Sequence, residues 1–216
     1  MTKQKRYTWI IILAIYFLMI TGGIWNILGR FQNEMRLMAS PLLILLSIIV
    51  FYEYWRHSSN KLRIAIWSLA IIATGIFIEW VGVNTGWIFG EYQYGTTLKP
   101  QIGGVPIAIG FAWLNMELSS LVLAQRVTDK ARWYPILTAI FMVVFDFFME
   151  SPAGQLNYWV WENGIPIQNY AAWFLIGYLL MLFGKKIKAV EANNSQIIIH
   201  VYLSQLLYFI LVMLKG

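Results

Sequence analysis

Seven long apolar runs alternate with short polar connections along the chain. Most of these runs have roughly the 17–25 residues that a helix needs to cross a bilayer. They cover residues 7–28, 37–55, 62–83, 105–125, 133–150, 170–184 and 196–214. The pattern predicts an all-α protein, a polytopic membrane bundle of about seven transmembrane helices that forms a single domain over residues 1–216.

The composition supports a membrane protein. The chain is 59% hydrophobic and only 12% charged, with a mean hydropathy of +0.62, whereas a water-soluble domain carries about 25% charged residues. Cysteine is absent, so disulfide and thiolate chemistry are excluded. The formal net charge of +6 does not point to a nucleic acid partner, because the basic residues follow the membrane topology.

The Lys and Arg residues alternate between the two sides of the predicted bundle. Twelve of the 16 lie before the first run or within or next to the second, fourth and sixth connections, whereas Arg30, Arg36, Lys99 and Lys215 lie on the other side. The positive-inside rule therefore predicts a cytoplasmic N-terminus in a multi-pass protein of the cell membrane. The first run is too long for the core of a signal peptide and lacks a cleavage site, so we expect it to remain as a helix.

Two carboxylates lie inside predicted spans near their outer ends. Glu79 lies about 6 Å from the outer end of the third span, and Asp146 lies about 9 Å from the outer end of the fifth helix if that helix stops near Pro152, at a rise of about 1.5 Å per residue. The outer half of the spans contains no Lys or Arg. An apolar site without a cation favours the neutral form of a carboxyl group, which can then act as a general acid. We therefore expect Glu79 and Asp146 to be catalytic, with the deeper Asp146 as the preferred proton donor.

Two further acidic residues have competing interpretations. Glu117 lies near the middle of the fourth span, where an ionisable group is a functional candidate by default, but a structural hydrogen-bonding role is equally consistent with its position. Glu150 follows Asp146 by one helical turn, and its place beside a connection favours a hydrated interface residue. The aromatic residues of the two long outer connections, 84–104 and 151–169, also fit an ordinary aromatic belt.

Both long connections carry sequence motifs that resemble one family. The stretches are "EWVGVNTGWIFGEYQYG", "LKPQIGGVPIAIGFAWLNM" and "DFFMESPAGQLNYWVWENGIPIQNYAAW". They contain E-x-x-G-x-x-T-G, F-G-x-Y-x-Y, G-V-P and D-x-x-x-x-x-P in order. Residues 79–173 thereby resemble the carotenoid biosynthesis proteins of the CruF type, the carotenoid 1,2-hydratases and bisanhydrobacterioruberin hydratases.

The resemblance implies that water is added to the terminal double bond of an acyclic carotenoid end, giving a tertiary alcohol. A protonated carboxyl group, a second carboxylate that deprotonates water and aromatic faces that stabilise a cation would suffice, so we expect no cofactor and no metal. The catalytic residues are then Glu79 and Asp146. The expected substrate-binding residues are Trp80, Thr85, Phe89, Tyr92, Tyr94, Trp113, Asn115, Glu117, Glu150, Trp161, Asn169 and Trp173.

Three other functions remain open from the residues. A membrane carotenoid cyclase would use the same acid but exclude water, and a non-enzymatic transporter or carotenoid-binding protein would use the carboxylates for coupling or packing. A prenyltransferase is disfavoured because no Mg²⁺-binding acidic cluster occurs. The expected partners are the carotenoid within the bilayer, membrane lipids and other enzymes of carotenoid biosynthesis, with no nucleic acid.

Overall fold

The structure, a computed structural model, describes residues 3–214, and the side chains from residue 5 onward. Lys215 lies outside the described residues. Within them are seven helices that are long and apolar enough to cross a membrane, which confirms the predicted all-α polytopic bundle. They are α1 (Lys3–Ile27), α2 (Gln32–Arg56), α3 (Lys61–Thr85), α4 (Ile107–Val127), α5 (Tyr134–Ala153), α6 (Ile167–Lys186) and α7 (Gln196–Met213), with a 3₁₀ turn, Ala131–Trp133, before α5.

The helices extend beyond most of the apolar runs that predicted them. Helix α2 begins at Gln32, five residues before the predicted start at residue 37, because polar residues continue the helix ahead of the apolar stretch. Helix α6 begins immediately after Pro166, whose fixed φ suits the residue that precedes a helix. Hydropathy marks the apolar part of each helix, whereas backbone hydrogen bonding sets its ends.

Helix α4 lies at the centre of the bundle, in contact with α2, α3, α5 and α7. Small side chains allow this close packing. A Cβ atom on Gly110 would lie 2.9 Å from the backbone oxygen of Ile72, so α3 and α4 approach closely at this glycine. Such approaches through small residues are typical of helix contacts in membranes.

The two long connections meet in a short antiparallel ribbon. Strand β1 (Tyr92–Tyr94), from the connection between α3 and α4, pairs with β4 (Trp159–Trp161), from the connection between α5 and α6. A separate small hairpin joins β2 (Gln101–Ile102) to β3 (Val105–Pro106). The ribbon packs over one end of the bundle, so residues distant in sequence converge there.

A hydrogen-bond network at the opposite end holds the connection between α2 and α3 next to the segment before α7. The Glu191 carboxylate accepts hydrogen bonds from the Ser58 hydroxyl at 2.9 Å and from the backbone N–H groups of Ser59 and Asn60 at 2.7 and 3.2 Å. Partial burial opposes ionisation, but these hydrogen bonds outweigh it and lower the pKa of Glu191 below its usual range. The network therefore anchors the bundle end with an ionised carboxylate.

The charge distribution makes the orientation of this fold testable. Because the chain contains no cysteine, single cysteines can be introduced without background and labelled with a membrane-impermeant thiol reagent. We expect Lys61→Cys, Lys130→Cys and Lys186→Cys to react only from the cytoplasmic side. Lys99→Cys and Asn163→Cys should react from outside, and labelling of Asn163→Cys only from the cytoplasmic side would reverse the predicted topology.

Candidate active site

A cavity of about 50 Å³ lies beneath the β1–β4 ribbon and is lined by residues from each of the helices α2 to α7. Two acidic side chains line it, Glu79 from α3 and Glu150 from α5, and no Lys or Arg of the described chain does so. Its other walls are mainly aromatic. They include Phe89, Tyr92, Tyr94, Trp113, Trp161 and Trp173.

Three donors hold the Glu79 carboxylate. The Tyr92 and Tyr94 hydroxyls donate to Oε2 at 2.5 and 2.7 Å, and Trp113 Nε1 donates to Oε1 at 3.1 Å. The side chain is only 5% exposed. Charge-assisted hydrogen bonds of this kind fix both the position and the direction of a carboxylate.

The local sequence explains how the loop reaches Glu79. Alternate residues of a strand point to the same face, so Tyr-Gln-Tyr in β1 presents both tyrosines to the carboxylate. A Cβ atom on Gly82 would lie 2.7 Å from the Phe89 ring and 3.2 Å from the Tyr92 hydroxyl. The glycine therefore leaves the space in which the loop folds back against α3.

Both tyrosines remain hydrogen-bond donors. Burial, followed by the charge of Glu79, raises the pKa of Tyr92 and of Tyr94 well above the ordinary value for tyrosine. The hydroxyls therefore keep their protons at neutral pH and orient Glu79 by donating to it.

The same arrangement is repeated at Glu150 with tryptophans. Trp159 Nε1 and Trp161 Nε1 donate to Oε2 at 2.8 and 2.6 Å, again from alternate residues of one strand. Glu150 is 5% exposed, so the interpretation of Glu150 as a hydrated interface residue is wrong. The reason is that β4 folds back over the end of α5 and covers the carboxylate.

Asp146 lies one turn deeper in α5 and is fully buried. Asn169 Nδ2 donates to Asp146 Oδ2 at 2.7 Å and to Glu150 Oε1 at 3.2 Å. The Asp146 and Glu150 carboxyl groups also lie within hydrogen-bonding reach of each other. Glu150 faces the cavity, whereas Asp146 does not line it, so Asp146 is connected to the cavity through Glu150 and Asn169.

An aromatic stack lines the cavity next to Glu79. The Trp113 and Trp173 rings are stacked, with centroids 4.2 Å apart and planes 15° from parallel. A Cβ atom on Gly75 would lie 2.8 Å from the Trp113 ring, so this glycine makes room for the indole. Ring faces in an apolar site attract a positive charge.

Besides Asp146, four of the residues expected at the site from sequence lie outside the cavity. Trp80 is 47% exposed and packs against Phe77, and the Thr85 hydroxyl donates to the Val81 backbone oxygen of its own helix. Asn115 donates to the Gln205 side chain, which lines the cavity. Glu117 is fully buried away from it.

Several lining residues were not expected from the sequence. Tyr158, Trp159, Gln205 and Phe209 all line the cavity. For Gln205 a signal existed, because a polar side chain inside an apolar run is a candidate for function. For Trp159 the signal was the alternation W-V-W, which places it on the same face as Trp161.

Comparison with known proteins identifies the family. The profile of the carotenoid biosynthesis protein family matches residues 39–215. A bisanhydrobacterioruberin hydratase of Haloarcula japonica is 30% identical over 128 residues, which cover 53% of this chain and 43% of that protein, so the match spans less than half of the relative. No solved structure matches the chain. The protein is thus an integral membrane protein that belongs to the carotenoid biosynthesis protein family.

Proposed function

We propose that this protein is a hydro-lyase, a carotenoid hydratase of the cell membrane that adds water to the terminal double bond of an acyclic carotenoid end. One observation carries the proposal: Glu79 and Glu150 line the same small aromatic cavity, each is held by fixed donors, and no basic residue within residues 3–214 lines that cavity. The family and the name of the relative support the same substrate class.

The proton donor in this mechanism is the Asp146–Glu150 pair. Two carboxyl groups in contact, without a cation, cannot both be ionised at low cost, and such pairs share one proton. Glu150 presents that proton to the cavity. Its transfer to the less substituted alkene carbon uses the electron pair of the double bond to form the C–H bond and leaves a tertiary carbocation.

Water then captures the cation. The stacked faces of Trp113 and Trp173 stabilise the positive charge while it exists. Glu79, held in place by its three donors, accepts a proton from the water molecule as the C–O bond forms. The product is a tertiary alcohol, and the cycle closes when Glu79 loses this proton and the Asp146–Glu150 pair regains one.

Hydration involves no net oxidation or reduction, and the acid and base are side chains of this chain. We therefore expect purified protein to hydrate an acyclic carotenoid without nucleotide or flavin and in the presence of EDTA. Loss of activity on chelation, restored by adding a metal, would contradict the metal-free mechanism.

Pigment analysis in a lycopene-producing host tests the function itself. We expect expression of this chain to add one molecule of water for each reacted end, with the oxygen derived from isotopically labelled solvent. A product of unchanged mass but altered chromatographic retention would instead indicate a cyclase. Unchanged pigment, with the protein folded in the membrane, would indicate a binding or transport protein.

A further inference from the structure

A second and much larger cavity opens on the side of the bundle, between α1, α2 and α7. Its volume is about 370 Å³. We call it the lateral groove. Its walls include Phe17, Leu18 and Gly22 of α1 and Met38, Leu42 and Leu45 of α2.

The lateral groove opens where lipid chains would surround the bundle. Phe17, Leu18, Met38 and Leu45 are all exposed on its rim, whereas Met19, Leu46 and Phe209 are buried on its inner side. Along α2 the lining runs from Glu34 to Leu46, which corresponds to about 18 Å at a rise of about 1.5 Å per residue. The groove is therefore long as well as apolar.

The lateral groove lies directly next to the candidate active site. Four residues line both cavities: Leu43, Tyr158, Gln205 and Phe209. A single layer of side chains thus separates the groove from the cavity that contains Glu79 and Glu150. Within this layer, Tyr158 lies near Tyr208, which lines the groove.

The sizes of the two cavities suggest how one long substrate would be divided between them. A volume of about 50 Å³ is far too small for a long polyene, so the active-site cavity can take at most the end group of the substrate. The remaining polyene must lie elsewhere, in contact with the same cavity. The lateral groove offers an apolar surface of suitable length at that place.

The chemistry of the lining favours an uncharged polyene over a phospholipid in the lateral groove. Glu34 is the charged residue that lines the groove, and no Lys or Arg of the described chain does so. A phosphate headgroup would lack a cationic partner there and would be repelled by Glu34. An uncharged hydrocarbon needs no cationic partner and is not repelled by Glu34.

We propose that the lateral groove binds the polyene chain of the carotenoid, which enters sideways from the bilayer between α1 and α2. Its end group passes the layer of Leu43, Tyr158, Gln205 and Phe209 to reach the active site. This inference rests on the proposed function for the identity of the substrate, but the groove can be tested by binding alone.

The first test uses protection of a thiol by lycopene. Met38 and Leu37 are neighbours on α2 with side chains 56% and 76% exposed, and only Met38 lines the groove. With the purified full chain in nanodiscs, we expect lycopene to slow alkylation of Met38→Cys several-fold and to leave Leu37→Cys unchanged. Equal rates with and without lycopene at Met38→Cys, or equal protection of both, would overturn the proposal.

The second test narrows the groove. Leu42→Trp adds bulk to the lining, and Leu37→Trp adds the same bulk on the adjacent outer surface of α2. Because the groove would hold the part of the substrate that does not react, we expect Leu42→Trp to raise KM several-fold with little change in kcat. An unchanged KM in folded Leu42→Trp protein would reject the groove as the polyene site.

The two tests separate the groove from the reaction. Protection of Met38→Cys by lycopene without any hydration would support the groove and reject the proposed function. Hydration by a protein that shows neither protection nor a KM effect would support the function and reject the groove.

Discussion

Glu79→Gln is expected to slow carotenoid hydration by about 10²–10⁴-fold, the range in which a general acid or base contributes. The substitution keeps the size of the side chain, and the Gln oxygen can still accept from Tyr92 or Tyr94. It removes the negative charge and the ability to take a proton from water. The measurement is the rate of alcohol formation at equal amounts of folded protein in the membrane.

Glu91 supplies the matched control for this prediction. It lies in the same connection as Tyr92 but is exposed and does not line the cavity. Glu91→Gln should therefore retain the parental rate. A parental rate in folded Glu79→Gln protein would mean that this carboxylate is structural and that another group deprotonates the water.

The number of helices was predictable from the sequence because a bilayer imposes a simple constraint. Every backbone polar group in the hydrocarbon must be satisfied within its own segment, so a long apolar run implies a helix. The β1–β4 ribbon was not predictable in the same way. Each strand has three residues, too few for the sequence to predict which segments pair, and their pairing joins residues 65 to 69 positions apart.

The candidate site was predictable only in part for the same reason. Glu79 and Asp146 stand out because carboxylates are costly inside a membrane. The sequence indicates depth along a helix but not what covers the helix end, so it predicts a hydrated side chain for Glu150. Its burial depends on Trp159 and Trp161, which reach it only after the connection folds back.

The direction in which a side chain points around its helix axis was the least predictable feature. Trp80 is adjacent to Glu79, yet one side chain is exposed and the other is buried in the site. Nearly uniform apolarity explains this difficulty, because a helix that is hydrophobic on all sides gives no periodic signal of its inner face. Gln205 and Phe209, one turn apart on α7, face the cavity, but no periodic pattern of apolar and polar residues along α7 indicates that this side of the helix faces inward.

Asp146 and Glu150 should behave as one catalytic unit. If they share the proton that reaches the alkene, Asp146→Asn and Glu150→Gln are each expected to slow hydration by about 10²–10⁴-fold. The sequence alone predicts a large effect for Asp146→Asn and a smaller one for Glu150→Gln. The structure favours comparable effects, because Glu150 faces the cavity and Asp146 lies within hydrogen-bonding reach of it.

The double variant distinguishes a shared proton from two independent roles. Residues that act as a unit are strongly non-additive, so once one member is lost, removal of the second costs little more. We therefore expect the Asp146→Asn/Glu150→Gln protein to be about as slow as the slower single variant. Glu162→Gln, on the exposed side of the same connection as Trp161, should remain at the parental rate. If the two effects instead multiply in the double variant, the carboxyl groups act separately, and Asp146 contributes by holding Asn169 rather than by storing the proton.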